Sequence, residues 1–154
     1  MKSIDFLSHH REETLALGKK IALGLKKGDI LCLFGDLGSG KTTLVQGIAA
    51  GLKINPTQVN SPTFVFMNVY EGKIPLFHFD LYRVETTREI LALGYEEYFY
   101  DDGITVIEWA ERLQTLLPQE YLEVKLLHQG EDQRLLKISA QGERYQKVVV
   151  KISS

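Results

Sequence analysis

The stretch GDLGSGKTT, Gly35 to Thr43, concentrates the groups most able to do chemistry in this chain. Gly35, Gly40, Lys41 and Thr42 fit the spacing G-x-x-x-x-G-K-[ST], and the context is the one that spacing requires: the apolar run Ile30–Phe34 before it and Leu44, Val45, Ile48, Ala49 and Leu52 at helical spacing after it. Glycines let backbone N–H groups curl around phosphate oxygens, and the following helix adds the positive end of its dipole. Asp36, Leu37, Gly38, Ser39, Gly40, Lys41, Thr42 and Thr43 are therefore expected to bind a nucleoside triphosphate. Within that set, Lys41 bridges the β- and γ-phosphates and the Thr42 hydroxyl is placed to ligate Mg²⁺. Hydrolysis needs more, namely a carboxylate to orient metal or water on an adjoining strand end. Asp80 follows IPLFHF and Glu108 follows ITVI, so both qualify, and the sequence leaves open which is the direct metal ligand. Thr63, in SPTF at 61–64, offers a hydroxyl on a loop of the kind that senses a γ-phosphate.

The elements that must position these groups read as an α/β domain. A helix is expected over about 9–27 with Ser8 as N-cap, a buried parallel strand over Asp29–Phe34, and a helix after the glycine loop. TFVFMNVY and IPLFHFDLY read as a strand pair joined by the three-residue turn EGK. A helix from Thr86 or Thr87 to Gly94 leads to a second buried strand, Ile104–Ile107. YLEVKLLHQ, QRLLKISAQ and YQKVVVKIS read as three strands of an antiparallel meander. The expected architecture is a P-loop NTPase-like mixed, mainly parallel sheet flanked by helices, with antiparallel C-terminal strands. Ligands of such sheets sit at the carboxyl ends of the parallel strands, where Gly35, Asp80 and Glu108 fall.

Composition narrows the function classes. A chain of 154 residues with 44% hydrophobic content suits one domain, so 1–154 reads as a single P-loop ATPase domain. A net charge of -2 supplies no overall basic field to hold a polyanion such as tRNA, so a nucleic-acid role would be indirect or local. The single cysteine, Cys32, excludes a disulfide framework and reads as an inert buried thiol. No signal peptide or membrane span is legible, which points to a cytoplasmic chain with no membrane partner. His78 alternates with Phe77 and Phe79 and is expected to point away from the core, while His9, His10 and His128 are too scattered for a metal site. Trp109 suits packing over the nucleotide, a partner contact or simple helix-start packing; Arg83 and Arg112 suit phosphates, a partner or solvent.

GDLGSGKTTLVQG, NSPTFVFMNVY, HFDLYR and EWAER, in this order and approximate spacing, resemble the bacterial TsaE family, also called YjeE, over nearly the whole chain. The resemblance implies an ATPase in the biosynthesis of threonylcarbamoyladenosine on tRNA, of low intrinsic activity, acting with the TsaB–TsaD heterodimer and reaching tRNA through that complex. It also implies that ATP binds the glycine loop, that Thr42 and Glu108 ligate Mg²⁺, and that Asp80 is needed for hydrolysis. Two other readings share the loop and the carboxylates: a small-molecule kinase, which would want an arginine-bearing lid longer than DLYRVETTRE, and a nucleotide-sensing module without turnover. A regulatory GTPase would carry N-K-x-D, which this chain lacks. No arginine is identifiable from the sequence as a finger.

Overall fold

The computed structural model describes residues 3–36, 38–60, 66–98 and 102–153; Leu37 and Thr63, both expected at the site, lie outside the described residues. Strand β1 (Ser3–Ser8) leads into helix α1 (Arg11–Gly24). Strand β2 (Ile30–Phe34), the glycine loop and helix α2 (Lys41–Gly51) follow. Strands β3 (Met67–Tyr70) and β4 (Leu76–Asp80) form the antiparallel pair expected, joined by the longer connection 71–75 rather than by EGK alone. Helix α3 (Thr87–Ala92) precedes β5 (Ile104–Glu108), and 3-10 turns over Ala110–Leu116 lead to β6 (Tyr121–His128), β7 (Arg134–Gln141) and helix α4 (Glu143–Ser153).

One seven-stranded sheet runs in the order β1-β7-β6-β2-β5-β4-β3. The central strands β6, β2, β5 and β4 are mutually parallel, and the pairs β1–β7, β6–β7 and β3–β4 at the flanks are antiparallel. This is the mixed sheet expected. Its two faces carry separate cores. Leu17, Leu44, Ile48, Leu76, Val106 and Val148 belong to one, under α1, α2 and α4. Cys32, Phe77, Phe79, Ile90, Ile107 and Leu113 belong to the other, under α3 and the 3-10 turns. A sheet covered on both faces explains why β2, β4 and β5 read as continuous apolar runs.

Three expectations are corrected. YQKVVVKIS is not a third tail strand but α4: Tyr145, Val148, Val149 and Ile152 recur at helical spacing and are the residues it buries, whereas a strand would have split them between faces. The strand beside β7 is instead β1, which pairs with it from Ser3↔Ser139 to Ser8↔Arg134. The N-cap of α1 is His10, not Ser8; the Ser8 hydroxyl is drawn inward to Thr14 Oγ1 at 2.7 Å, and the helix is shorter at both ends than expected.

Close contact of α1 with α2 requires small residues. A Cβ on Gly18 would stand 2.7 Å from the Leu44 carbonyl oxygen and 2.8 Å from both Gly47 Cα and Ile48 N, all backbone atoms that cannot swing aside. This packing fixes α2, and with it the residues at its N-terminus, against the sheet.

Candidate functional site

The glycine loop follows β2 and ends at Gly40, whose left-handed backbone (φ 101°, ψ 17°) costs a residue with a Cβ about 1–2 kcal/mol. Gly40 caps α2 without a side chain, and the first turn of α2 has no acidic residue. A helix N-terminus without a competing carboxylate favours an anion through its unpaired N–H groups and dipole. The loop is braced on either side: Arg134 Nη2 donates to the Gly38 carbonyl (3.1 Å), and Gly35 N donates to Glu111 Oε2 (3.4 Å).

Lys41 leans back over this loop. Its Nζ donates to the carbonyls of Gly35 (2.5 Å) and Asp36 (2.8 Å) and lies 4.2 Å from the centre of the Trp109 ring. Burial pushes its pKa below the ordinary lysine value, against the upward pull of Glu108, Glu111, Asp80 and Asp36. Trp109 itself adopts a left-handed backbone (φ 59°, ψ 44°), an uncommon conformation for a bulky residue, and packs on Tyr82 with ring centres 4.9 Å apart. This packing sets the Trp109 ring beside Lys41 in the wall of the cleft.

The two carboxylates sit side by side because β4 and β5 are parallel neighbours in which Asp80 pairs with Glu108. Glu108 is 2% exposed and accepts from Thr42 Oγ1, 3.3 Å from both of its carboxylate oxygens. Asp80 lies nearer the surface, with Oδ1 accepting from Tyr82 N at 3.0 Å. Burial, reinforced by the charge of Glu108, raises its pKa over the lowering effect of that N–H.

His78 corrects a further expectation. It does alternate with Phe77 and Phe79, but the face it turns to is covered as well, by the core under α1, α2 and α4, and the residue is fully buried. A buried polar ring needs partners. Nε2 meets Glu108 Oε2 at 2.5 Å and Nδ1 meets the Tyr70 hydroxyl at 3.1 Å. The signal for it was a polar residue inside a run otherwise apolar on both faces. Tyr70 and Arg134 had no comparable sequence mark.

A cleft of about 540 Å³ joins these groups, lined by Lys41, Thr42, Asp80, Glu108, Trp109 and Arg83 among others. Arg11 and Arg134 also reach its wall, whereas Arg112 is not among the lining residues. Among the described residues no group of three or more His, Cys, Asp or Glu is arranged to hold a metal unaided. The hydroxyl and carboxylate of Thr42 and Glu108 form a hard oxygen pair of the type that shares Mg²⁺ with phosphates and water. Their facing oxygens fit such an ion. No helix among the described residues is long and apolar enough to cross a membrane.

Comparison with known proteins bears on the fold and the family. A crystal structure of Bacillus subtilis YdiB superposes with a TM-score of 0.82 at 35% identity, covering 99% of this chain and 95% of that one. The tRNA threonylcarbamoyladenosine biosynthesis protein TsaE of Bacillus subtilis is 42% identical over 154 residues, 99% of this chain and 96% of its own length. Its namesake from Nostoc sp. is 45% identical over 134 residues, 84% of this chain and 81% of its own length. A family model described as threonylcarbamoyl adenosine biosynthesis protein TsaE matches residues 8–136. Matched by that family model over most of its length and 42% identical to a family member along 99% of it, the chain belongs to the TsaE family.

Proposed function

We propose that this chain is a Mg²⁺-dependent protein that binds and hydrolyses ATP in the cytoplasm, serving threonylcarbamoyladenosine formation on tRNA by driving or resetting the TsaB–TsaD heterodimer. The observation that carries the reading is the convergence of Lys41, Thr42, Asp80 and Glu108 on one cleft at the N-terminus of α2. The names borne by the relatives support the tRNA pathway.

In this reading the loop from Asp36 to Thr43 binds the triphosphate. Lys41 exchanges its bonds to the Gly35 and Asp36 carbonyls for phosphate oxygens, which pair its buried charge better than a neutral carbonyl does. Thr42 and Glu108 hold Mg²⁺, which when bound neutralises charge on the phosphates. Asp80, fixed through Oδ1 by the Tyr82 N–H, orients the attacking water and accepts its proton, and its raised pKa brings it closer to the acidity that task requires. Thr63 contributes a hydroxyl toward the γ-phosphate. Trp109 and Tyr82 cover the mouth and limit water at the reacting phosphate.

The test is steady-state phosphate release by the protein alone and then with the TsaB–TsaD heterodimer and tRNA. Slow solitary turnover that rises at least about 10-fold with the complex is expected, since a transition-state charge supplied in trans is worth about 10³–10⁵ in rate. Rapid turnover indifferent to the complex, or no turnover in either case, would refute the reading. Transfer of phosphate to a metabolite would favour a kinase instead.

A further inference from the structure

Behind the two acids runs a line of polar groups, exposed at its outer end and buried at its inner one, that the proposed chemistry does not use. It starts at Asn60, at the end of the segment that follows α2, passes through Tyr70 on β3 and His78 on β4, and ends on Glu108 of β5. A carboxylate only accepts hydrogen bonds, so His78 Nε2 is the donor to Glu108 Oε2. In a neutral ring Nδ1 is then an acceptor, and the Tyr70 hydroxyl is the group within reach to donate to it, at 3.1 Å. That hydroxyl is itself held: it accepts from Asn60 N and Asn68 Nδ2, each at 3.2 Å, and the Asn60 carbonyl at 3.0 Å competes with His78 Nδ1 for its single proton. Asn68 pairs with His78 across the β3–β4 ladder, so the same hairpin carries both ends of the contact.

The geometry points to His78 and Tyr70 as positioning residues that hold the Glu108 carboxylate in the orientation in which it faces Thr42 and takes a divalent cation. This rests on the proposed Mg²⁺ site. The physical need is specific. Glu108 is buried at the end of a strand, and the other hydrogen bond described for its carboxylate is the long, two-centred one from Thr42 Oγ1, 3.3 Å from each oxygen. Such a contact does not choose a rotamer about the carboxylate's own axis. The short bond from His78 to Oε2 does, and it leaves Oε1, which lacks that bond, as the oxygen that would be offered to a cation. His78 cannot drift, because its ring is enclosed by the core under α1 and α2 and tied at Nδ1. Metal-ligating groups are commonly oriented by such outer partners, and losing one typically costs 10–100-fold in metal affinity.

The experiment uses the full chain in excess over ADP and reads Mn²⁺ binding by the loss of its free-ion electron paramagnetic resonance signal beyond that caused by the same ADP without protein, together with ADP affinity and thermal melting. His78→Leu removes both ring nitrogens. It is expected to weaken Mn²⁺ about 10-fold or more while changing ADP affinity without metal by less than about 2-fold. His78→Gln sets an amide N–H where Nε2 stands and is expected to recover most of the Mn²⁺ affinity. Tyr70→Phe keeps the ring in the core and is expected to weaken Mn²⁺ by a smaller factor, which keeps the test decisive if His78→Leu does not fold. Parent-like Mn²⁺ affinity in folded His78→Leu or, failing that variant, in Tyr70→Phe would overturn the positioning role alone. So would a His78→Gln no better than His78→Leu. A parent protein that takes up no Mn²⁺ with ADP would overturn the Mg²⁺ site itself and this role with it.

Discussion

Replacing Lys41 with methionine separates what the ammonium does for a nucleotide from what it does for the fold. Lys41→Met keeps an unbranched chain of similar reach that still packs on Trp109, 4.2 Å from the present Nζ, while removing the charge and its bonds to Gly35 and Asp36. Burial dominates the pKa of Lys41 and lowers it. Between that lowered value and the ordinary lysine value the unfolded chain binds more protons than the folded one, so stability rises with pH through this window. Below the window the folded state bears the full cost of keeping the ammonium charged. The variant sheds that cost and loses the ammonium's hydrogen bonds to Gly35, Asp36 and Ser39, and its melting temperature without nucleotide at pH 7 is expected close to that of the parent. With ATP the outcome inverts. Two charge-assisted bonds to phosphate, each worth about 1.5–3 kcal/mol before the lost carbonyl bonds are subtracted, make a net loss of about 2.8 kcal/mol, or about 100-fold in Kd. At ATP equal to about 100 times the parent Kd, mass action stabilises the parent by about 2.7 kcal/mol and the variant by about 0.4 kcal/mol. For a domain of this size that is a rise of roughly 5–10 °C in the parent and about 1–2 °C in the variant. Thermal shift with ATP·Mg²⁺ measures both. A variant that keeps the parent's ATP-induced rise would refute the assignment of Lys41 to the phosphates, and one that melts far below the parent without nucleotide would refute the argument from burial.

Two further outcomes follow from the same geometry. Asp80 has a raised pKa, so the folded state holds its proton above the usual carboxylate range and stability is lost as pH rises through that window; Asp80→Asn, which keeps the acceptor for Tyr82 N, should melt above the parent at pH 8, converge with it near pH 3, and lose about 10²-fold or more in phosphate release. Equal melting at pH 8 or parent-like turnover would count against it. Gly18→Ala sets a methyl 2.7 Å from the Leu44 carbonyl and 2.8 Å from Ile48 N, so an overpacking cost of about 1–3 kcal/mol outweighs the roughly 1 kcal/mol gain in helix propensity. A melting temperature lower by up to about 8 °C is expected by calorimetry, and a stabilised variant would show that α1 and α2 can separate freely.

What the sequence determined by itself is local. The loop from Gly35 to Thr43 was legible because each of its requirements is met within a few residues: a strand before, glycines where no Cβ fits, a lysine and threonine opening a helix. Asp80 and Glu108 were legible as the polar ends of apolar strands, and β2, β4 and β5 stand where the apolar runs placed them. Only the tertiary structure decided how these pieces meet. Thr42 and Glu108 are 66 residues apart in the chain and touch because β2 lies beside β5 and β5 beside β4, an order no local pattern encodes. The same holds for His78, whose alternation with two phenylalanines says it lies on the other face but not that α1 and α2 cover that face too. It holds for YQKVVVKIS, where three consecutive valines favour a strand by propensity. In the folded chain, burying Tyr145, Val148, Val149 and Ile152 on one side outweighs it, because the free energy of burial across an amphipathic face exceeds the small differences in backbone preference. Propensity and pattern act between neighbours in sequence, whereas burial acts between neighbours in space. The carboxylate pair and its buried histidine belong to the second kind.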